Sequence, residues 1–518
     1  MFSLFPVGFS HHKQRALKMD EAHLTVNNDL STDVVVSWTS QHCYQCLYQQ
    51  LGVVPAAPSP GKPNSVDFVV STQHEITLQL NSTPDTLELC MVPFHFGEHG
   101  NYSLWVKNIN DSSVVDCSVV TKVEPINSYI RESHTHKNIH KHVWHGHVMD
   151  ISLVIMVFVN YGGGRYWFFR HESWNGEFVF IMGTSIALSI NSLLRARSTR
   201  FSVLRKVVWR SVQLFAIGVF IINPNYCQGP LSWDNLRIPG VLQRLAWSYL
   251  IVACLDLMVD AWWSPVIDIL LSWPAWLCVL LLEILWLYLT FQLPVPDCPT
   301  GYLGPGGIGD MGLYPNCTGG AAGFIDRWLL GENHIYQTPS SRVIYATHVP
   351  FDPEGVLGSI NSILMAFLGL QAGKIILHYR DLHTSIISRF LMWGFVLGAI
   401  SALLTKCSTD QGFIPVNKNL WSLSYVTTLA CFAFVLLVLV YYTVDVKKWW
   451  SGAPFYYPGM NSILVYVGHE VLEEYFPFRW HMANSQSHAE HLTQNLVATS
   501  CWVFISYVLY RKKVFWKI

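Results

Sequence analysis

The chain has 518 residues, of which 51% are hydrophobic and only 13% are charged. Because an ordinary soluble domain carries about 25% charged residues, this composition excludes a typical soluble enzyme and indicates a polytopic membrane protein. The formal net charge is -1 and the sequence has no long basic tract, so we do not expect a nucleic-acid partner.

Residues 1–125 differ from the rest of the chain because they contain short alternating segments instead of long apolar runs. Residues 32–38, 75–80 and 102–107 are typical of half-buried strands, and Pro, Gly and Asn clusters separate them. We therefore predict a luminal β-sandwich of about seven strands.

Cysteines and N-glycosylation sequons in this domain favour an oxidising, glycosylating lumen. The cysteines are Cys43, Cys46, Cys90 and Cys117, and the sequons lie at Asn81, Asn101 and Asn110. We expect two disulfides, but the spacing leaves their pairing open. The C-x-x-C motif formed by Cys43 and Cys46 also has zinc or redox chemistry as an alternative.

Residues 126–148 form a His-rich linker. Its histidines are His134, His136, His140, His142, His145 and His147. Clustered imidazoles can bind zinc or copper, but nothing in the segment indicates a fixed tetrahedral cage. We predict a solvated linker and no metal.

Apolar runs of membrane length recur about ten times in residues 149–518, which are therefore predicted to form an α-helical membrane domain. The predicted spans lie near residues 149–163, 177–194, 204–223, 239–258, 273–293, 355–374, 385–405, 421–443, 460–476 and 492–510.

Basic residues cluster after the second, sixth, eighth and tenth predicted spans. By the positive-inside rule these loops and the C-terminus are cytosolic, and the loops after odd-numbered spans are luminal. The largest luminal loop, residues 294–354, contains a sequon at Asn316 and two cysteines, Cys298 and Cys317, which we expect to be bonded.

Residues 160–171 follow the first apolar run and read Asn-Tyr-Gly-Gly-Gly-Arg-Tyr-Trp-Phe-Phe-Arg-His. Three glycines would each destabilise a helix by about 1 kcal/mol, so we predict a helix end near Asn160 and positive φ at residues 162–164. Asn160 and His171 can then meet at a membrane surface. There a histidine can move a proton, and an asparagine can orient a substrate or hold an oxyanion. The alternative is that His171 is only an interface residue.

Strongly polar residues at membrane depth are further candidates, because burying them unpaired is costly. Arg237 stands before the fourth predicted span and Arg244 lies inside it. Two guanidinium groups so placed suit a phosphate-bearing ligand, with a structural ion pair as the alternative. The candidate substrate-binding residues are Arg237, Arg244, Asn461 and His469, and Glu470 and Glu283 are also polar groups at this depth.

Long stretches of the chain carry a family resemblance. They are residues 156–164, 223–234, 237–244, 304–310 and 458–465. Together they resemble the heparan-α-glucosaminide N-acetyltransferases, lysosomal membrane enzymes of heparan sulfate breakdown. The resemblance implies transfer of the acetyl group from cytosolic acetyl-CoA to the terminal non-reducing glucosamine amine of heparan sulfate in the lumen. It also implies that Asn160 and His171 are the active-site pair.

The implied chemistry fits a histidine of ordinary pKa, about 6.5, because a glucosamine amine must lose a proton before it attacks a thioester. Either His171 accepts the acetyl group in a ping-pong reaction, or it deprotonates the amine while both substrates are bound; we favour the second scheme. The expected partners are acetyl-CoA as cosubstrate, heparan sulfate and the lipid bilayer, with a homo-oligomer left open. The competing function is a transporter or sugar-binding membrane protein without catalysis.

The chain departs from the family pattern on both sides of the proposed active site. An Asp-x-x-Arg-Gly motif of the family is absent where this chain reads His147 to Ser152, and an Asp-Leu-Val-Phe-Pro-Trp-Phe stretch is absent between Gly176 and Glu177. An inactive variant of the enzyme is therefore a further alternative.

The number of predicted spans conflicts with the chemistry of the first domain. Ten spans with a cytosolic C-terminus would place that domain in the cytosol, whereas its cysteines and sequons indicate the lumen. The conflict disappears if a span once stood after Pro125, and the family is expected to have eleven spans. We therefore predict that the His-rich linker replaces a missing span and cytosolic loop.

Overall fold

The computed structural model describes most of the chain. The described residues are 17–18, 20–40, 43, 46–59, 62–83, 88–108, 115–123, 147–166, 177–195, 199–227, 232–259, 273–379, 382–408, 412–482 and 484–516. The chain divides into two compact units, residues 1–133 and 134–518. His171, Asn110 and nearly all of the predicted linker at 126–148 lie outside the described residues.

The first unit is a β-sandwich, as predicted, with eight strands in its described residues instead of about seven. The strands are β1 Glu21–Asn28, β2 Val34–Ser40, β3 Gln49–Val54, β4 Asn64–Ser71, β5 Ile76–Ser82, β6 Glu88–Phe94, β7 Asn101–Asn108 and β8 Val115–Val123. They form two four-stranded sheets in the orders β4-β1-β7-β8 and β3-β2-β5-β6. All the strand pairs are antiparallel except β1 with β7, which is parallel.

Alternating apolar residues place one face of each sheet in the core of the sandwich. Leu24 and Val26 of β1 are fully buried with Leu78 and Leu80 of β5. A disulfide between Cys90 of β6 and Cys117 of β8 joins the two sheets, and a second one pairs Cys43 with Cys46. The structure thus bonds both cysteines of the C-x-x-C motif to each other.

The second unit is helical, and ten of the helices in its described residues correspond to the predicted spans. They are α1 His147–Asn160, α2 Glu177–Arg195, α3 Arg200–Ile217, α4 Val241–Val259, α5 Trp273–Gln292, α6 Gly320–Leu330, α7 Ser340–Ile344, α8 Val356–His378, α9 His383–Thr405, α10 Leu423–Tyr441, α11 Tyr456–Gly459, α12 Ser462–Val471 and α13 His488–Arg511. Seven helical segments among the described residues are long and apolar enough to cross a membrane, and they contain α3, α4, α5, α8, α9, α10 and α13.

The other three predicted spans coincide with α1, α2 and α12, which have 14, 19 and 10 residues. Ten of the thirteen helices found in the described residues thus match predicted spans. The end of α1 has a local cause. The three glycines that follow it take φ values of 109°, 53° and 69° and turn the chain away, as predicted.

α2 and α8 pack with their backbones in direct contact. A Cβ atom added to Gly183 would lie 1.8 Å from the Ala366 carbonyl oxygen, and one added to Gly369 would lie 1.8 Å from the Phe180 carbonyl oxygen. Only glycine can occupy these positions, which is the small-residue packing typical of membrane helices. α8 also packs against α4, α5 and α10 and is the central helix of this unit.

The segment between α5 and α8 is the predicted luminal loop, and it is folded. Cys298 and Cys317 are bonded within it. Asp326 of α6 accepts a hydrogen bond of 2.8 Å from the Val356 N–H and so caps the first turn of α8. Burial raises the pKa of Asp326 to about 7. Asn316 is exposed, as its sequon requires.

Candidate active site

The end of α1 positions Asn160. The helix stops at this residue, and the glycine turn that follows is tied to α13 because the Gly164 carbonyl oxygen lies 2.9 Å from His488 Nδ1. The amide of Asn160 reaches α12, where its Nδ2 lies 2.8 Å from His469 Nε2 and 3.4 Å from Glu470 Oε1. We call Asn160, His469 and Glu470 the Asn160 cluster.

A backbone contact fixes the proton on His469. Its Nδ1 lies 3.1 Å from the Val465 carbonyl oxygen, and since a carbonyl only accepts hydrogen bonds, Nδ1 carries the proton. In the neutral ring Nε2 is then an acceptor, and it takes a hydrogen bond from Asn160 Nδ2. The Oδ1 atom of Asn160 is buried and has no hydrogen-bond partner among the described residues.

Tyr226 brings a hydroxyl group to the Asn160 cluster from the end of α3. The chain leaves α3 through a π-helical turn at Gly218–Ile222 and a 3-10 turn at Asn223–Tyr226. Asn223 then holds the next segment, since its Nδ2 donates to the carbonyl oxygens of Arg237 and Pro239 at 2.6 and 2.9 Å. The Tyr226 hydroxyl donates to Glu470 Oε2 at 2.9 Å.

Arg237 is paired on every side. Its guanidinium group donates to both carboxylate oxygens of Asp352 at 2.8 and 2.7 Å and to Glu354 Oε2 at 2.6 Å. The rings of Tyr226 and Tyr336 lie 5.5 and 4.8 Å from it. Burial alone would lower the pKa of Arg237, but the two carboxylates raise it above its ordinary value. We call Arg237, Asp352 and Glu354 the Arg237 cluster; it is the structural ion pair that the sequence left open.

Arg244 is buried nearby, in the first turn of α4. Its Nη2 donates to the carbonyl oxygen of Pro353 at 2.8 Å, and its guanidinium group lies 4.6 Å from the centre of the Trp421 ring. Its Nε and Nη1 atoms have no hydrogen-bond partner among the described residues. Arg244 therefore has N–H donors that can bind a ligand, whereas the guanidinium group of Arg237 is held by two carboxylates.

The four candidate substrate-binding residues do not all come together. His469 joins Asn160, but Asn461 lies at the opposite end of α12, where its side chain bonds to Val514 and Trp516 near the C-terminus. Sequence reasoning missed Tyr226, Asp352 and Glu354. The two carboxylates could have been found from the sequence, because they stand just before the sixth predicted span and so at the same membrane face as Arg237.

A helical membrane unit, a separate β-sandwich and a buried polar cluster at the ends of several helices define a polytopic membrane protein with a candidate active site at one face. No protein-family model matches the chain.

Comparison with curated proteins identifies its relatives. It is 49% identical to the Homo sapiens heparan-alpha-glucosaminide N-acetyltransferase over 99% of this chain and 90% of that protein. It is also 49% identical to the Mus musculus protein of the same name over 97% of this chain and 89% of that protein. The chain therefore belongs to the heparan-alpha-glucosaminide N-acetyltransferase family, which confirms the resemblance inferred from its sequence.

The alignment with the human relative is longer than the chain itself. It spans 601 positions, whereas the chain has 518 residues, so some positions of the relative have no counterpart here. The missing span and cytosolic loop before α1 stay a prediction.

Proposed function

We propose that this chain is a multi-pass lysosomal membrane enzyme that moves the acetyl group of cytosolic acetyl-CoA to the terminal non-reducing glucosamine amine of heparan sulfate in the lumen. The observation that carries the proposal is the 49% identity over 99% of the chain to a relative named for this reaction. The transporter or sugar-binding alternative has no such support.

The position of the Asn160 cluster supports a luminal reaction. Asn160, Glu470 and Tyr226 stand at the ends of odd-numbered predicted spans, which the basic loops assign to the lumen. The Cys298–Cys317 disulfide belongs to a loop on the same side and fits an oxidising compartment. The acceptor amine would therefore meet the cluster from the side on which heparan sulfate is degraded.

In the proposed reaction His171 takes a proton from the glucosamine ammonium group, and the free amine attacks the acetyl carbonyl carbon. The bond from that carbon to sulfur then breaks, and coenzyme A leaves as a thiol. We favour a complex with both substrates bound over an acetylated His171, because it requires only proximity within one site. Acetyl-CoA is the cosubstrate, and no metal ion is part of the scheme.

Transfer of radiolabelled acetyl groups from acetyl-CoA to glucosamine in isolated membranes tests the proposal. His171→Ala should lower the rate by about 10² to 10⁴-fold, the usual contribution of general acid–base catalysis. Activity of this variant within a few-fold of the parent chain would remove His171 as base or acceptor. A parent chain that inserts in membranes but transfers no acetyl group would favour the inactive variant instead.

A further inference from the structure

The unused polar atoms of the Asn160 cluster are hydrogen-bond acceptors. Asn160 Nδ2 is committed to His469 Nε2 at 2.8 Å, which leaves the buried Oδ1 as the free end of the amide. Glu470 Oε2 accepts from Tyr226, whereas the contacts of Glu470 Oε1 with Asn160 Nδ2 and His469 Nε2 are long, 3.4 Å each. A ligand that fits these two oxygens must bring N–H or O–H donors.

Among the described residues, Glu470 also lacks a permanent cation. Its side chain is only 11% exposed, and the ion pair it forms with His469, at 3.4 Å, has no charge on the histidine while the ring is neutral. Arg237 is already held by Asp352 and Glu354, and no lysine or arginine within the described ranges forms an ion pair with Glu470. Burying a carboxylate without a cation beside it is costly, so a cationic ligand would stabilise it.

One contact of the cluster lies at the protein surface. Tyr226, whose hydroxyl group contacts Glu470, is 36% exposed although its neighbour Asn223 is buried. We expect a ligand to approach the cluster from the side of this ring.

We propose that Asn160 Oδ1 and Glu470 Oε1 bind a primary ammonium group, which in the acceptor substrate is the protonated glucosamine amine. The identity of that substrate rests on the proposed function; the preference for an ammonium group rests on the acceptors and on the unpaired carboxylate. Asn160 then orients the incoming nucleophile through its carbonyl oxygen. It is not a donor to the oxyanion, the other role that its sequence position allowed.

Steady-state kinetics of Glu470→Gln test the proposal. This change keeps the size of the side chain and one oxygen but removes the charge, so the KM for glucosamine should rise about 10- to 100-fold, as expected for loss of a charge-assisted hydrogen bond. The KM for acetyl-CoA should stay unchanged. Glu470→Asp retains the carboxylate and should recover part of the affinity for glucosamine.

Glu473→Gln is the matched control. Glu473 lies three residues further along, beyond the end of α12, and its side chain is 39% exposed and faces Arg479 at 3.7 Å. Its loss should therefore leave both KM values unchanged. An unchanged KM for glucosamine in Glu470→Gln, with acetyl transfer intact in the parent chain, would overturn the ammonium site and leave the proposed function standing.

Calorimetric titration of the purified chain with D-glucosamine and D-glucose, at an acidic pH where the amine is protonated, separates the two proposals. The parent chain and Glu473→Gln should bind glucosamine more tightly than glucose, and Glu470→Gln should not distinguish them. This pattern in a chain without acetyl transfer would support the ammonium site and refute the proposed function. Equal affinity of the parent chain for both sugars would overturn the site. Because this comparison needs no variant, it tests the site even if Glu470→Gln fails to fold.

Discussion

The Arg237 cluster and the Asn160 cluster are similar in composition and opposite in bonding. In the Arg237 cluster the guanidinium group meets three carboxylate oxygens and two aromatic rings. In the Asn160 cluster an amide oxygen has no partner among the described residues and a carboxylate has no permanent cation there. Tyr226 touches both clusters, so the contrast arises within one contiguous network.

This contrast distinguishes buried polar groups that stabilise the fold from buried polar groups that can bind a ligand. A cluster whose donors and acceptors are matched holds the chain in one arrangement, and here it joins the start of α4 to the segment before α8. In a cluster with unmatched acceptors, buried oxygens lack hydrogen bonds, and a ligand that brings donors forms those bonds when it binds. Burial and residue type alone would not have distinguished them.

The largest expected effect is on stability, from breaking the matched cluster. Arg237→Met leaves Asp352 and Glu354 buried without their cation, which should destabilise the fold by about 3–5 kcal/mol. The melting temperature of the purified protein in detergent measures this loss. Arg479→Met is the control, because Arg479 is 44% exposed and its carboxylate partners are on the surface, so about 0–1 kcal/mol is expected. Equal effects of the two changes would mean that the Arg237 cluster is not a structural element.

A change in the unmatched cluster should affect activity more than stability. Asn160→Ala removes an unpaired oxygen but also the donor to His469, and each effect is worth about 1–3 kcal/mol with opposite sign. The melting temperature should therefore change little, whereas kcat/KM for glucosamine should fall about 10- to 100-fold. A large loss of stability with unchanged kcat/KM in the remaining folded protein would assign Asn160 to structure.

A third expected effect concerns the pH dependence of stability, which changes only the slope of the melting temperature with pH. Burial raises the pKa of Asp326 from 3.8 to about 7, so the folded chain holds this proton more tightly than the unfolded chain. Its contribution is complete below pH 3.8 and is lost as the pH rises through 7. Arg244, Arg327 and Asp352 are the charged groups that act on this carboxyl group.

Asp326→Asn should therefore flatten the melting temperature between acidic and neutral pH, because the amide keeps the oxygen that accepts from Val356 and does not titrate. Melting curves of the parent and the variant across this range measure the difference. Asp234→Asn, at an exposed position, is the control. A slope in Asp326→Asn equal to that of the parent would exclude Asp326 as its source.

The sequence predicted elements better than it predicted partners. Periodicity and apolar length predicted the β-sandwich and located ten of the helices, and the glycines placed the end of α1 at Asn160, because these signals act between neighbours in the chain. The pairing of Arg237 with Asp352 joins residues 115 positions apart, and that of Asn160 with His469 joins residues 309 apart. Such contacts depend on helix packing, so the sequence could mark His469 as unusual without naming its partner.

The glycine contact between α2 and α8 also constrains how the membrane unit can move. With Gly183 and Gly369 each seated against a carbonyl group of the other helix, a sliding or rolling motion would drive backbone atoms into each other. The two helices therefore form one rigid spine. We expect any hinge that opens the unit toward one compartment to lie between this pair of helices and the remaining helices.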